Sequence, residues 1–313
     1  MTNRNQYITS VVSQVHDETE RVRRYSLKCV DGWELPPFTA GAHIDVVLES
    51  GDTRQYSLCS DPRERNEYQF AVLREDVGRG GSLEIHQNFK VGTPVSLWLP
   101  RNLFPLAESS GNHILIAGGV GITPFISMIF ELERRSASYE LHYCARTASD
   151  FAFREFLLSS RRTGQIHLYA DGKRLEMEKV LGRSSDGQHA YCCGPTRMAE
   201  AFAHALRDWP EHQVHQEAFG KLPVPQGPTY EVVLRRSNLT LTVVPGKSLL
   251  HTLKDAGLPM KVGCESGICT LCKVPWVAGA PIHRDHVLTS TERETVLLSC
   301  VCGSDGDAIE LDL

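Results

Sequence analysis

Cys264, Cys269 and Cys272 form a C-x4-C-x2-C run, and Cys300 lies well downstream of it. That is the ligand spacing of a plant-type 2Fe-2S cluster. Three thiolates on one loop and a fourth on a later segment can hold two bridged irons, a centre that gains and loses one electron at a time. A zinc site with four cysteine ligands would pair two C-x2-C knuckles, and here only Cys269 and Cys272 make such a pair. Disulfides fit poorly, because the opening MTNRNQYITS does not resemble a signal peptide and thiols stay reduced in the cytoplasm, the expected compartment. Cys302, two residues past Cys300, competes with it for the fourth ligand position. Cys29, Cys59, Cys144, Cys192 and, in its simplest reading, Cys302 read as small buried or half-buried residues.

Two further constellations could do chemistry. Arg54-Gln55-Tyr56-Ser57-Leu58 is followed, one strand later, by a glycine-rich turn ending Gly80-Gly81-Ser82. A flavin needs a flat aromatic contact, backbone groups that read its polar ring edge, and an anion cradle for its phosphate. Tyr56, Ser57 and the amides of that turn, at the start of an expected helix, would supply these; the plainer reading is a chance strand and an ordinary turn. In ILIAGGVGITP, residues 114–124, the glycines stand between an apolar strand and a helix start. Glycine lets the backbone approach a pyrophosphate, and the helix start favours negative charge. The run is not the G-x-G-x-x-G fingerprint, so it rests on other evidence. Cys193-Gly194-Pro195 ends another apolar strand, at the carboxyl edge where open sheets bind ligands. Its plain alternative is a buried structural thiol.

The elements that must position these residues follow from period and punctuation. The chain has 313 residues, 41% hydrophobic and 23% charged, enough for two or three domains of ordinary soluble composition. A net charge of −5 leaves no basic footprint for nucleic acid, and no apolar run is long enough to span a membrane. Residues 1–105 read as short strands (44–48, 56–58, 68–73 and 95–99) broken by turn residues, the pattern of an antiparallel β-barrel. Over 106–222, strands at 114–117, 141–144, 166–169 and 190–193 alternate with helical stretches, which predicts an α/β doubly wound parallel sheet. Thr123 is the expected N-cap and Pro124 the first helical residue of the helix after the glycines. KLPVPQGP at 221–228 reads as a semi-rigid linker. From 229 to 313 an α+β domain is expected: a hairpin, then Ser248 capping a short helix that ends at Gly257, then the cysteine loop. From Thr229 onward 8 basic residues face 10 acidic ones. That weak charge suits a cluster domain tethered to its electron donor rather than steered to it.

Taken in order, Arg-x-Tyr-Ser, Gly-Gly-x-Gly-x-Thr-Pro, Cys-Gly-Pro and the C-terminal cysteines resemble the ferredoxin-NADP reductase superfamily. Within it they resemble the phthalate dioxygenase reductase family, which includes vanillate O-demethylase reductases. The resemblance spans essentially the whole chain. It implies an FMN-binding barrel, an NADH-binding domain and a β-grasp 2Fe-2S ferredoxin domain, in a monomer that feeds a Rieske-type oxygenase through a transient complex. Carried over, Arg54, Gln55, Tyr56 and Ser57 would meet the isoalloxazine and ribityl, with backbone near Val72 lining the ring. Gly80, Gly81 and Ser82, helped by Thr123, would hold the phosphate. Gly118, Gly119, Gly121 and Pro124 would face the NADH pyrophosphate, and Cys193, with Gly194 and Pro195, would lie beside the nicotinamide. Phe219 would cover the flavin until the nicotinamide displaces it. Cys193, Ser57 and Phe219 are thus the expected reaction-centre residues, and Cys264, Cys269, Cys272 and Cys300 the iron ligands. Asp171 would accept from the adenosine 2'-hydroxyl and repel a 2'-phosphate, favouring NADH, although Lys173 and Arg174 lie nearby. Arg146 is a phosphate contact or a solvated arginine.

The sequence departs from the family at Thr270-Leu271, where Gly-Thr is common. A side chain at 270 crowds a turn that needs glycine or alters the hydrogen bonds to sulfur that tune potential. In the implied reaction the flavin takes a hydride and releases electrons singly to the cluster. No general acid or base is expected to be needed, so the task is positioning. Flow from a plant-type cluster near about −400 mV to a Rieske centre is downhill. The alternatives are a reductase for a haem or di-iron oxygenase, FAD in place of FMN, and a non-enzymatic redox sensor with a vestigial flavin fold.

Overall fold

A computed structural model describes residues 7–78, 80–109, 111–159, 164–218, 227–262, 265, 267, 270–285 and 287–313. The chain divides into two compact units, Met1–Phe219 and Gly220–Leu313. The first opens with six strands: β1 (Tyr7–Asp17), β2 (Val22–Cys29), β3 (His43–Val47), β4 (Thr53–Ser57), β5 (Tyr68–Leu73) and β6 (Pro94–Trp98). They pair antiparallel in the order β4-β3-β6-β1-β2-β5. An isolated bridge from Leu58 to Phe70 joins the two ends of that order, so the sheet curls into the expected barrel. Strand alternation fills its interior with Tyr25, Leu27, Ile44, Val46, Phe70 and Leu97, all under 1% exposed. Helix α1 (Gly81–Asn88) follows β5 and buries Ile85 against the barrel.

Five parallel strands come next: β7 (His113–Gly118), β8 (Tyr139–Cys144), β9 (Gln165–Tyr169), β10 (His189–Gly194) and β11 (Val214–Ala218). Their connections carry α2 (Thr123–Arg134), α3 (Arg154–Leu157), α4 (Met177–Leu181) and α5 (Thr196–Ala205). Both β7 and β10 are buried along their whole length, as strands covered on two faces must be. The order β11-β10-β7-β8-β9 places the topological switch between β7 and β10. Ligands of doubly wound sheets bind in the crevice at that point. The barrel residues Val22, Ala40, Cys59 and Ala71 share one apolar cluster with Leu115, Phe125 and Met128, which couples barrel and sheet in a single packed body.

Thr123 is the first residue of α2 rather than its cap. A 3-10 turn, Gly119–Ile122, leads in, and the Thr123 hydroxyl donates to the Val120 carbonyl at 3.0 Å. The backbone of Thr123 is already helical, at φ −57° and ψ −47°, whereas an N-cap residue lies outside the helical region.

The second unit pairs β12 (Tyr230–Leu234), β13 (Leu239–Val243), β14 (Lys273–Ile282), β15 (Val296–Leu298) and β16 (Gly303–Leu311) in the order β13-β12-β16-β14-β15. Among the described residues of this unit, only β12 and β16 run parallel. Helix α6 (Leu249–Asp255) packs Leu249, Leu250 and Leu253 into the sheet core, and α7 (Ser290–Arg293) precedes β15. This is the expected mixed sheet with one principal helix. Ser248 caps α6 by accepting from His251 N at 3.2 Å, and Gly257 follows in the left-handed region at φ 82°.

The turn after β7 comes up against the end of β10 at Gly121. A Cβ on Gly121 would lie 2.2 Å from the Cys193 carbonyl oxygen, whereas one on Gly119 would meet nothing within 4 Å. Gly121→Ala must therefore push two backbones apart, at a cost of about 3 kcal/mol, while Gly119→Ala carries only the ~1 kcal/mol penalty of its positive φ. Thermal denaturation should show the larger loss for Gly121→Ala, and equal losses would remove the packing role.

Candidate functional site

Three groups converge at the carboxyl end of β10. Cys193, fully buried, pairs in register with Glu217 on β11, and its thiol donates to Glu217 Oε2 at 3.8 Å. Burial, reinforced by the Glu217 charge, holds the thiol well above its ordinary value, so it is a neutral donor and not a thiolate. Desolvation raises the Glu217 carboxyl from 4.5 to about 7. The Ser57 hydroxyl, at the end of β4, works against that rise. This hydroxyl is buried with no closed hydrogen bond among the described residues. A polar atom left unsatisfied in a buried site is a candidate ligand contact. Glu217 was missed in the sequence, and only the register of β11 with β10 places it beside Cys193.

Packing demands glycine at 118 and 121: a Cβ on Gly118 would run into the Pro195 ring at 2.8 Å, and one on Gly121 into the Cys193 carbonyl. A Cβ on Gly194 would press on the flexible end of Met198, with Sδ at 2.9 Å. Gly119, with φ 55° and an open side, is the one glycine of the turn whose missing side chain leaves space. Pro124 is buried in the first turn of α2, and Pro195 is exposed as the N-cap of α5.

On the barrel, Arg54 lies beside the start of α1: a Cβ on Gly81 would come within 2.7 Å of its Nε. Gly80 opens that helix in the left-handed region at φ 78°, a conformation glycine adopts at little cost. Ser82 Oγ accepts from Glu75 N at 3.1 Å. A guanidinium against the amides of a helix start fits a phosphate. The partly buried Tyr56 packs on Phe70, ring centroids 5.3 Å apart. Val72 is buried, with its carbonyl facing His86 Nε2 at 2.9 Å, and Gln55 reaches His43 at 3.4 Å. Thr123 is 2% exposed, with its hydroxyl already engaged.

At the far end of the sheet, Asp171 sits in the left-handed region at φ 53°, accepting at Oδ2 from Ala148 N at 3.2 Å, while its own N–H donates to the carbonyl of the exposed Arg146. The two residues thus belong to one surface turn. Phe219 lies outside the described residues.

In the second unit the pairing of β14 with β15 brings the flanking cysteines together, Cys272 just before β14 and Cys300 just after β15. Ser299 donates both N–H and Oγ to the Cys272 carbonyl, at 3.2 and 2.9 Å. Cys302 is occupied elsewhere: its thiol, pushed up to about 11 by burial, donates to Asp285 Oδ1 at 3.7 Å. Cys264 and Cys269 lie outside the described residues. Between them and beyond, the backbone enters the left-handed region at Glu265, Gly267 and Thr270. The thiol pair and its clamp fit a loop-held iron-sulfur centre, and the Arg54, Gly80 and Ser57 arrangement fits a flavin phosphate and ring edge.

A barrel joined to a nucleotide-type parallel sheet, with a mixed-sheet unit presenting clustered cysteines, defines a pyridine-nucleotide oxidoreductase with an iron-sulfur domain. Comparison with known proteins agrees. The oxidoreductase NAD-binding domain family matches residues 115–204, and the 2Fe-2S iron-sulfur cluster binding domain family matches residues 232–303. The tert-butanol monooxygenase / tert-amyl alcohol desaturase reductase subunit of Aquincola tertiaricarbonis is 39% identical, over 96% of this chain and 95% of that one. The haem-dependent oxidative N-demethylase beta subunit of Ectopseudomonas mendocina is 38% identical, over 96% and 97%. The solved structure of phthalate dioxygenase reductase superposes with a TM-score of 0.77 at 34% identity, covering 98% of each chain. The chain belongs to the phthalate dioxygenase reductase family. It is an NADH-dependent flavin iron-sulfur oxidoreductase that uses FMN, NADH and a 2Fe-2S cluster, which sets aside the redox-sensor alternative. Among the described residues no helix is long and apolar enough to cross a membrane.

Two outcomes follow from this geometry. Threonine in the left-handed region costs about 1–2 kcal/mol, so Thr270→Gly should raise the melting temperature of the cluster-loaded protein; an unchanged or lower value would mean the loop gains from the threonine side chain. The raised Glu217 value means that the native state holds this proton more tightly than the unfolded chain does. Its penalty is absent below about pH 4.5, grows as pH rises toward about 7, and is constant above. Glu217→Gln should therefore match the parent near pH 4 and exceed it by on the order of 3 kcal/mol near pH 8. Denaturant titrations at the two pH values check this, and a gain independent of pH would contradict it.

Proposed function

We propose that the chain is the reductase component of a two-component Rieske-type oxygenase or demethylase, passing electrons from NADH through FMN to the 2Fe-2S cluster and on to the oxygenase. The observation that carries the reading is the buried Ser57, Cys193 and Glu217 group at the switch between β7 and β10, where barrel and parallel sheet share a core. In this reading Arg54 and the Gly80–Ser82 turn bind the FMN phosphate, and Tyr56 and Ser57 meet its ring system. Gly119 borders the NADH pyrophosphate, and Cys193 lies beside the nicotinamide. Bound FMN supplies the conversion from hydride to single electrons. The neutral Cys193 thiol and the near-neutral Glu217 carboxyl surround the reacting atoms without adding a fixed charge, and Glu217 can hold or release a proton close to neutral pH. Asp171 selects NADH over NADPH, and Arg146 in the same turn is a phosphate contact. Cys264, Cys269, Cys272 and Cys300 hold the irons. The protein acts in the cytoplasm as a monomer that meets its oxygenase transiently.

One observation favours a second partner class. The Ectopseudomonas mendocina relative is named as part of a haem-dependent oxidative N-demethylase, so a haem oxygenase is the other acceptor to test.

The deciding experiment is the anaerobic visible spectrum of the purified protein, before and after NADH, for the parent, Cys300→Ser and Cys302→Ser. Flavin and cluster bands should both bleach in the parent. Cys300→Ser should lose the cluster bands while Cys302→Ser keeps them. Colour untouched by NADH would overturn the electron path, and the reverse pattern in the two variants would transfer the fourth ligand to Cys302.

A further inference from the structure

A second ligand set lies away from the cofactor residues, on the other face of the parallel sheet. Tyr139, Leu141 and Tyr143 of β8 point into the core shared with α2. Alternation therefore turns Glu140 and His142 to the opposite face. His167 of β9 stands in register beside His142. One ligand atom from each of Glu140, His142 and His167 falls within a common 4.8 Å.

The details favour an ion rather than a satisfied core histidine. The His142 side chain is 5% exposed, and its Nε2 has no hydrogen-bond partner among the described residues. Glu140 Oε2 stands 3.6 Å away, beyond hydrogen-bond reach. Its Oε1 accepts from Asn112 Nδ2 at 3.3 Å, which aims the other oxygen at the imidazole. His142 Nδ1 lies 3.0 Å from the Tyr169 hydroxyl. With Nδ1–H donating to that oxygen, Nε2 carries the lone pair, and an outer partner on the second nitrogen is the usual support of a metal-binding histidine.

We propose that Glu140, His142 and His167 bind a divalent cation of the zinc type, with water completing the coordination. Two imidazoles and one carboxylate suit zinc chemically and leave an open position. The two rings are stacked, 13° from parallel with centroids 4.7 Å apart, so their lone pairs do not converge as they stand. The half-exposed His167 must turn to close the site. Occupancy would pin β9, the edge strand of the sheet, to β8. The other group of this kind, His283, Asp285 and Cys302, offers less, because the Asp285 carboxylate already serves Leu288 N, Arg293 and the Cys302 thiol.

The test is equilibrium dialysis of the FMN- and cluster-loaded protein against zinc chloride, with zinc and iron measured per chain. It is paired with zinc K-edge absorption spectroscopy, for the parent, His167→Gln and Glu140→Gln. The parent should retain one zinc per chain, with iron unchanged and with nitrogen and oxygen but no sulfur neighbours. Each variant should bind zinc at least about tenfold more weakly while keeping its flavin and iron. His167→Gln alters a half-exposed side chain, and an unchanged melting temperature shows that it folds. No uptake by the parent, equal uptake by the variants, or zinc bound to sulfur with loss of iron would each overturn the proposal.

Discussion

The close approach of two backbones, the 3-10 turn after β7 and the end of β10, is the constraint on which the first unit depends. With Gly121 against the Cys193 carbonyl and Gly118 against the Pro195 ring, the two strands at the switch point can end side by side with nothing between them. That contact fixes the start of α2, the position of the Cys193 thiol and, through the register of β10 with β11, the Glu217 carboxyl. Ser57 reaches the same place from the barrel because barrel and sheet are packed through a common core. A preorganised site of this kind holds its groups by packing and needs little rearrangement when ligands arrive.

The electrostatics of the group are set by dryness more than by charge. Among the described residues no cation acts on the thiol or the carboxyl, and both are pushed toward their neutral forms by burial. A carboxyl left near neutrality is a deliberate expense in a folded protein, tolerated where a proton has work to do. Beside the positioning groups named from the sequence, the structure holds a buried titratable carboxyl, Glu217, next to Cys193.

Much of this was legible in the sequence, for specific reasons. Alternating and continuous apolar runs gave the barrel and the parallel sheet, and the glycine turn and Cys-Gly-Pro marked the ends of β7 and β10. Cysteine spacing identified the cluster loop. What remained hidden depended on three-dimensional context. Nothing local distinguishes Gly119, which borders open space, from Gly118 and Gly121, which are demanded by packing. Thr123 looked like a cap because the 3-10 turn before α2 has no sequence signature of its own. Glu217 is unremarkable until its strand pairs with β10. At Thr270 the sequence left two readings open, a crowded turn or altered hydrogen bonds to sulfur, and the left-handed backbone there supports the first.

The barrel itself is incomplete. Among the described residues β4 and β5 meet through the lone Leu58–Phe70 bridge, with Cys59 N donating to the Gln69 carbonyl beside it. Along the rest of that seam the two strands part, and Tyr56 and Val72 stand on either lip. A fully zipped barrel would consume every main-chain donor and acceptor on its own ladder. A margin that is not zipped can leave some of them unspent, and a flat heterocycle with hydrogen-bonding edges would find partners there much as a missing strand would.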